Sequence, residues 1–511
     1  MAGMTSRRKL AAFGVLVLFV FGAGLWLTVR AMLAGDRIKS AIEAQASAAI
    51  GRPVSIRAAT PQFLPRVGLD LQGISIGGRD EVSIEHATLT TGLWALLRRR
   101  VEDARISVVR SQIDLRWALD LLAAFSAPAS SSSPSSAAFT VDSIGTLALR
   151  DVTLVAGART LRVDLDSSLS GGDRLVITDL RGHSDGTDLR ASGELTSIAR
   201  RTGKLSIQAD TLDLDGLMAF LAAATPAGST GSSSSGSQVP LQLDIDVKAA
   251  RGRALGVSLT KLSAACRMQG GDVLLENLAI ELFSGRYTGQ AAFRGSRGQP
   301  LYEWRGTFEN LDVPQLMAFA GTTGAMTGRL AGTLALSAAG ADPALAMQRA
   351  KGTARVTITD GKMPGLEIVR NVILAFGKPS GEAPSGSGEA FTRIASTLAV
   401  NAPVISTEDL TFASRDFDMT GKGTLSLASQ AIDLRADVIL SRELSAQAGR
   451  DLYRLAREGE RIVLPARITG NATSPTVFID IQAAMMRALK NKVKDQFKSL
   501  LDRWRREPAN P

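Results

Sequence analysis

Ser258 and Lys261, in "SLTK", have the Ser-x-x-Lys spacing that lets a lysine amine take the proton of a serine nucleophile. The run alternates apolar and polar residues as a strand does, and a match this short arises by chance in a chain of 511 residues. Asp213, Asp244, Asp246 and Asp433 could supply the paired carboxylates of glycoside hydrolysis. Each alternates with apolar neighbours, however, which sets it on the solvated face of a sheet. "GKGT" at 421–424 lacks the upstream glycine of a phosphate-binding loop. Cys266 falls in the apolar set Leu262, Ala264 and Met268 and reads as a small buried hydrophobe. His86 and His183 are far apart, and the HExxH, GxSxG and paired CxxC patterns are absent. The expectation is a chain that is not an enzyme, with no catalytic residue, no cofactor and no metal.

The elements that would position such residues follow from composition and period. Hydrophobic residues make up 45% of the chain and aromatic ones only 5%, so the core is expected to be aliphatic. That favours sheets. The 59 basic and 49 acidic residues leave a formal charge of +10, gathered near the two ends, which argues against a nucleic-acid surface and leaves nucleic acid out as a partner. A single cysteine rules out an intramolecular disulfide.

Beyond Gly51 the dominant period is two, the signature of half-buried strands. Leu161, Val163 and Leu165 share one side of "LRVDLD", as do Leu205 and Ile207 in "KLSIQAD". Leu241, Leu243, Ile245 and Val247 do so in "LQLDIDVKA", and Ile432, Leu434 and Val438 in "AIDLRADV". "LSAACRM" and "VFIDI" alternate in the same way. Turns such as "SGG", "QGG" and "TDGK" separate the runs, so a meandering antiparallel sheet is predicted, long crossover helices being missing. Short helices interrupt it. "TLDLDGLMAF" at 211–220 and "NLDVPQLMAF" at 310–319 agree at six of ten positions, which points to a duplicated unit carrying one helix each. "WALDLLAAF" and "VRNVILAF" are looser echoes. Stretches rich in Ser, Gly and Pro read as flexible insertions.

Both ends differ from this middle. From Leu10 to Val29 about 20 consecutive residues carry no charge, enough to span roughly 30 Å of hydrocarbon as a helix. Arg7, Arg8 and Lys9 precede the span and Arg30, Arg37 and Lys39 follow it, a weak bias to a cytoplasmic N-terminus. At the other end Met485, Leu489, Val493, Phe497 and Trp504 share a helical face while Lys490, Lys494, Lys498 and Arg503 lie off it. Such a helix can rest on an anionic membrane, with Lys490, Lys494, Lys498, Arg503 and Trp504 as membrane-surface residues, or cap the end of the sheet.

"GRPVSI" leading into "LPRVGLDLQGISIG", then "TTGLWALLRRRVEDARISVVRSQIDL", "LFSGRYTGQAAF", "GTARVTITDGKMPGLEI", "GKGTLSLASQAIDLRADVIL" and "LPARITGNATSPTVFIDI", resemble in order and context the AsmA-like family of bacterial inner-membrane-anchored proteins. The resemblance implies a mainly β fold: a single N-terminal transmembrane helix, then a long, curled, mostly antiparallel sheet, as a groove or an elongated sandwich. Short helices intersperse it and a basic amphipathic helix ends it. It implies a single-pass inner-membrane protein with most of the chain periplasmic, carrying phospholipid along an apolar groove toward the outer membrane, whose inner leaflet or envelope proteins would be its partners. Scaffolding of outer-membrane protein assembly is the alternative. The residues Leu161, Val163, Leu165, Leu205, Ile207, Leu241, Leu243, Ile245, Val247, Ile432, Leu434 and Val438 would line the groove.

The expected organisation is a cytoplasmic 1–9, a transmembrane 10–30 and an N-terminal β region 31–125. A Ser/Pro-rich loop at 126–139, a β repeat at 140–224 and a Gly/Ser-rich loop at 225–239 come next. A second repeat at 240–377, a loop at 378–390, a C-terminal β region at 391–481 and the basic helix and tail at 482–511 complete it.

Overall fold

The computed structural model describes residues 39–40, 43–44, 46–47, 51–62, 67–77, 81–92, 100–101, 103–117, 140–141, 144–171, 173–198, 200–224, 241–295, 299–375, 388–447, 457–458, 460–487 and 490. They fall into two compact units, Met1–Gly256 and Val257–Pro511. The expected span at 10–30, the residues before it, the loops at 126–139 and 225–239 and the tail from 491 lie outside the described residues. Among the described residues no helix is long and apolar enough to cross a membrane.

Unit one is built from β1 (Val54–Gln62), β2 (Val67–Ile76), β3 (Val82–Thr91), β4 (Arg100–Val101), β5 (Ala104–Asp114) and β6 (Thr140–Val141). β7 (Ile144–Ala156), β8 (Arg159–Ser170), β9 (Arg174–Ser184), β10 (Thr187–Ser197), β11 (Thr202–Asp213), helix α1 (Leu214–Ala224) and β12 (Gln242–Ala254) follow. Except for the small β4–β6 pair, neighbours in sequence are neighbours in the ladder. One apolar row crosses six strands in register: Leu149, Leu165, Leu180, Ala191, Ile207 and Val247. Cross-strand pairs of this kind are what hold a sheet together.

Two junctions correct the antiparallel expectation. β5 pairs with β7, and β11 with β12, in parallel. A parallel pair needs a crossover of a dozen or more residues. The connections 115–143 and 214–241 provide it, and they contain the two Ser-rich stretches read as insertions.

The outer edge of β1 is not left bare. Among the described residues its one strand partner is β2, and the Val54 and Ile56 N–H groups donate to Ser47 Oγ at 2.8 Å and Glu43 Oε1 at 2.7 Å. Side chains of the helical residues ahead of the sheet thus occupy donors that another strand would use.

Unit two holds β13 (Val257–Gln269), β14 (Asp272–Leu282), β15 (Gly285–Arg294), β16 (Leu301–Asp312), helix α2 (Val313–Phe319), β17 (Arg329–Ala339) and helix α3 (Pro343–Met347). β18 (Lys351–Met363), helix α4 (Ile368–Ala375), β19 (Glu389–Asn401), β20 (Val404–Ala413), β21 (Phe417–Ser426) and β22 (Ala431–Leu440) continue it. Helix α5 (Arg442–Gln447), β23 (Arg457–Glu458), β24 (Arg461–Asn471) and β25 (Ser474–Ile479) end it. From β13 to β22, and on through β24 to β25, every step is antiparallel.

The repeated phrase marks the place where a strand turns into a helix. Asp312 ends β16 and caps α2, its Oδ1 accepting from the Gln315 N–H at 3.1 Å, with Pro314 in the first turn. Asp213 likewise ends β11 and immediately precedes α1, but its Oδ1 is buried without a hydrogen-bond partner among the described residues. The two helices then differ in what they cover. Phe220 of α1 is buried with Leu115 and Ala156, whereas Phe319 of α2 is 55% exposed and leans on the Phe283 ring, 5.7 Å away between centroids.

The main core lies under α4. Leu366, Ile368 and Val372 cluster with Phe391, Phe412, Phe417, Val438, Leu464, Ile479 and Ala484. In register, Ile394, Phe412, Met419, Val438 and Leu464 make one row through five strands. The expected curled groove behind a membrane helix is corrected by this architecture. Each ladder runs open from its first strand to its last, no described pairing closes it, and the largest buried apolar cluster includes Ile368 and Val372 of the short helix α4.

Candidate functional site

Of the twelve expected groove residues, Val438 is fully buried in the core under α4. The other eleven are half-buried. Leu161 packs against the cluster beneath α1, and Leu434 against the core beneath α4. Leu205 and Ile207 pair with Ile245 and Val247 across the parallel junction. Lys490 is helical and exposed, while Lys494, Lys498, Arg503 and Trp504 lie outside the described residues.

The motifs that could carry chemistry find structural explanations. Lys261 is an ion-pair partner of Glu281 at 2.9 Å, which commits the amine that a Ser258 nucleophile would need. Burial pushes the Cys266 thiol up, so it stays protonated. Asp244, Asp246 and Asp433 stand on the exposed side of their strands, as their alternation implies. Among the described residues no group of His, Cys, Asp and Glu could hold a metal ion. In "GKGT", Gly423 faces Leu434 of β22, and a Cβ there would fall 2.1 Å from the Asp433 carbonyl oxygen. The glycine thus permits close strand approach.

Three clefts, of about 830, 530 and 380 Å³, are lined by charged side chains, Lys422 and Arg435 in the first, Glu281 and Arg286 in the second, Arg305 and Arg355 in the third. Charged side chains stand in all three, beside apolar ones such as Leu410, Pro465 and Phe478 in the first. The largest spans β20 to β25 and is organised by register. Lys422 of β21 stands opposite Arg435 of β22, Arg435 opposite Arg467 of β24, and Arg467 opposite Phe478 of β25. Alternation sends all four to the side away from the core, because Val477 and Ile479, which flank Phe478, are both buried. Phe478 itself is 65% exposed.

Most charges along this row are already committed. Lys422 pairs with Glu408 at 3.3 Å, Arg467 makes two 3.0 Å hydrogen bonds to Asp433, and Arg487 reaches Asp437 at 2.8 Å. The Arg467 guanidinium holds the Asp433 carboxyl below the usual carboxylate range. Asp409 is lowered too, because its carboxylate accepts from the Thr397 N–H at 2.7 Å. Asp480 accepts from the Ala483 N–H at 2.8 Å and caps the helix that follows. Arg435 alone in the row makes no hydrogen bond or ion pair among the described residues; it acts on Asp433 only through its charge.

Comparison with protein families, curated proteins and solved structures gives no match. The expected membership of the AsmA-like family is therefore corrected, and with it the inner-membrane anchoring, periplasmic placement, phospholipid carriage and outer-membrane partners that rested on it.

Sequence reasoning passed over Arg435 and Phe478. A signal for Phe478 existed: in "VFIDI" a large aromatic residue fills the slot that alternation assigns to water. Arg435 carries no such mark, because an arginine on the wet side of a strand is ordinary.

Proposed function

We propose that the chain is a binding protein rather than an enzyme, and that the cleft on unit two receives a stretch of polypeptide. The observation that carries this reading is the row Lys422, Arg435, Arg467 and Phe478, presented on four successive strands of one rigid ladder. The row spans three interstrand steps, roughly 14 Å, which an extended segment covers in about four residues. Small-molecule sites enclose most of their ligand. This cleft is open along its length, with Glu408 and Phe478 standing in solvent at its two ends, and so suits a chain laid across it. Side chains set on strands hold their spacing better than side chains on loops, which gives such a surface its selectivity. The commitment of Lys261 to Glu281 supports the non-catalytic reading.

The test is a peptide array probed with the full chain and with Phe478→Ala. Because Phe478 is mostly outside the core, the substitution should leave folding intact while weakening capture of the selected peptides by roughly tenfold, as loss of an exposed aromatic anchor does. Capture unchanged by Phe478→Ala would contradict the assignment of this cleft.

A further inference from the structure

We infer that the polypeptide held in this cleft carries one carboxylate, received by Arg435, and an apolar side chain that lies against Phe478. This rests on the cleft being a peptide site. Glu408, Asp409, Asp437 and Asp480 line the cleft, and each already has a cation or a backbone N–H as partner. Lys422 and Arg467 are matched by Glu408 and Asp433. Arg435 is therefore the one lining cation with no hydrogen bond or ion pair among the described residues, and it stands mid-row. A guanidinium of this kind offers a planar pair of donors that fits a carboxylate with two parallel hydrogen bonds.

The same inventory limits the ligand's charge. A nucleic acid brings a negative charge with every residue and needs several cations to neutralise them. Here one uncommitted cation is set among four lining carboxylates, so dense negative charge is repelled and a single carboxylate is accepted. Phe478 lies two strands beyond Arg435, roughly 10 Å away, and its exposed ring supplies an apolar contact at that distance. A glutamate and a large apolar residue two positions apart project from the same side of an extended chain, about 7 Å apart at the backbone, and their side chains reach both groups.

The experiment is a fluorescence anisotropy titration of the full chain with two labelled pentapeptides, Gly-Glu-Ser-Trp-Gly and its counterpart with glutamine for glutamate. The expected result is roughly tenfold tighter binding of the glutamate peptide, a preference that shrinks with added salt and disappears in Arg435→Gln, whose side chain is exposed and whose removal leaves the core untouched. Equal binding of the two peptides would overturn the inference while leaving the cleft as a peptide site. A preference that survives Arg435→Gln would also overturn it, by placing the carboxylate elsewhere. Binding of neither peptide would overturn both.

Discussion

Glu389 shows how one buried side chain makes stability depend on pH. It opens β19, is 9% exposed, and its Oε1 accepts from the Val369 N–H at 2.8 Å, at the start of α4. Burial pushes its carboxyl up, and the nearby carboxylates Asp416 and Glu367 push the same way, against the pull of the Val369 and Ile368 backbone N–H groups. The sign follows from linkage. A carboxyl whose value is raised on folding binds its proton more tightly in the native state, so its favourable contribution is complete below its ordinary value near 4.5 and is lost as pH rises through the raised value. Glu389→Gln keeps an oxygen for the Val369 N–H and removes the buried charge. Its unfolding midpoint should exceed the parent's at pH 7 to 8, with the gap closing below about pH 4.5, as thermal melts across that range would show. A gap of constant size at every pH would mean that ionisation of Glu389 has no part in it.

At the scale of elements, the repeated phrase gives a paired test. Phe220 and Phe319 occupy the same position in "DGLMAF" and "PQLMAF", yet one is 6% and the other 55% exposed. Phe220→Ala removes a ring from a closed cluster and should cost about 3 to 5 kcal/mol, while Phe319→Ala loses only the tilted contact with Phe283, worth about 1 kcal/mol. Chemical denaturation of the two variants checks this, and equal losses would mean that the helices cover equivalent surfaces. The sequence made the existence of both helices legible through the repeated phrase, but not their burial. Burial depends on what each helix meets. Strands were the most legible elements: in β12, Gln242, Asp244, Asp246 and Lys248 are exposed and the residues between them are not, as the period of two requires.

For the whole molecule, what could not be read was which strand lies beside which, and in which direction. Alternation fixes a face but says nothing of the partner, so the parallel junctions β5–β7 and β11–β12 were invisible, although the Ser-rich connections that make them possible were in plain view. The cleft was hidden for the same reason. Lys422, Arg435, Arg467 and Phe478 come from separate stretches of sequence and meet only through register across four strands. A reading built on hydrophobic faces looked for function on the oily side, whereas the structure seals the C-terminal part of that side under α4 and sets its largest described cleft on the other. Hydrogen–deuterium exchange of the full chain, with and without Gly-Glu-Ser-Trp-Gly, separates these two pictures most directly. Slower exchange confined to β20 through β25 on adding the peptide is the expected result; protection centred instead on the apolar row from Leu149 to Val247, or protection nowhere, would contradict it.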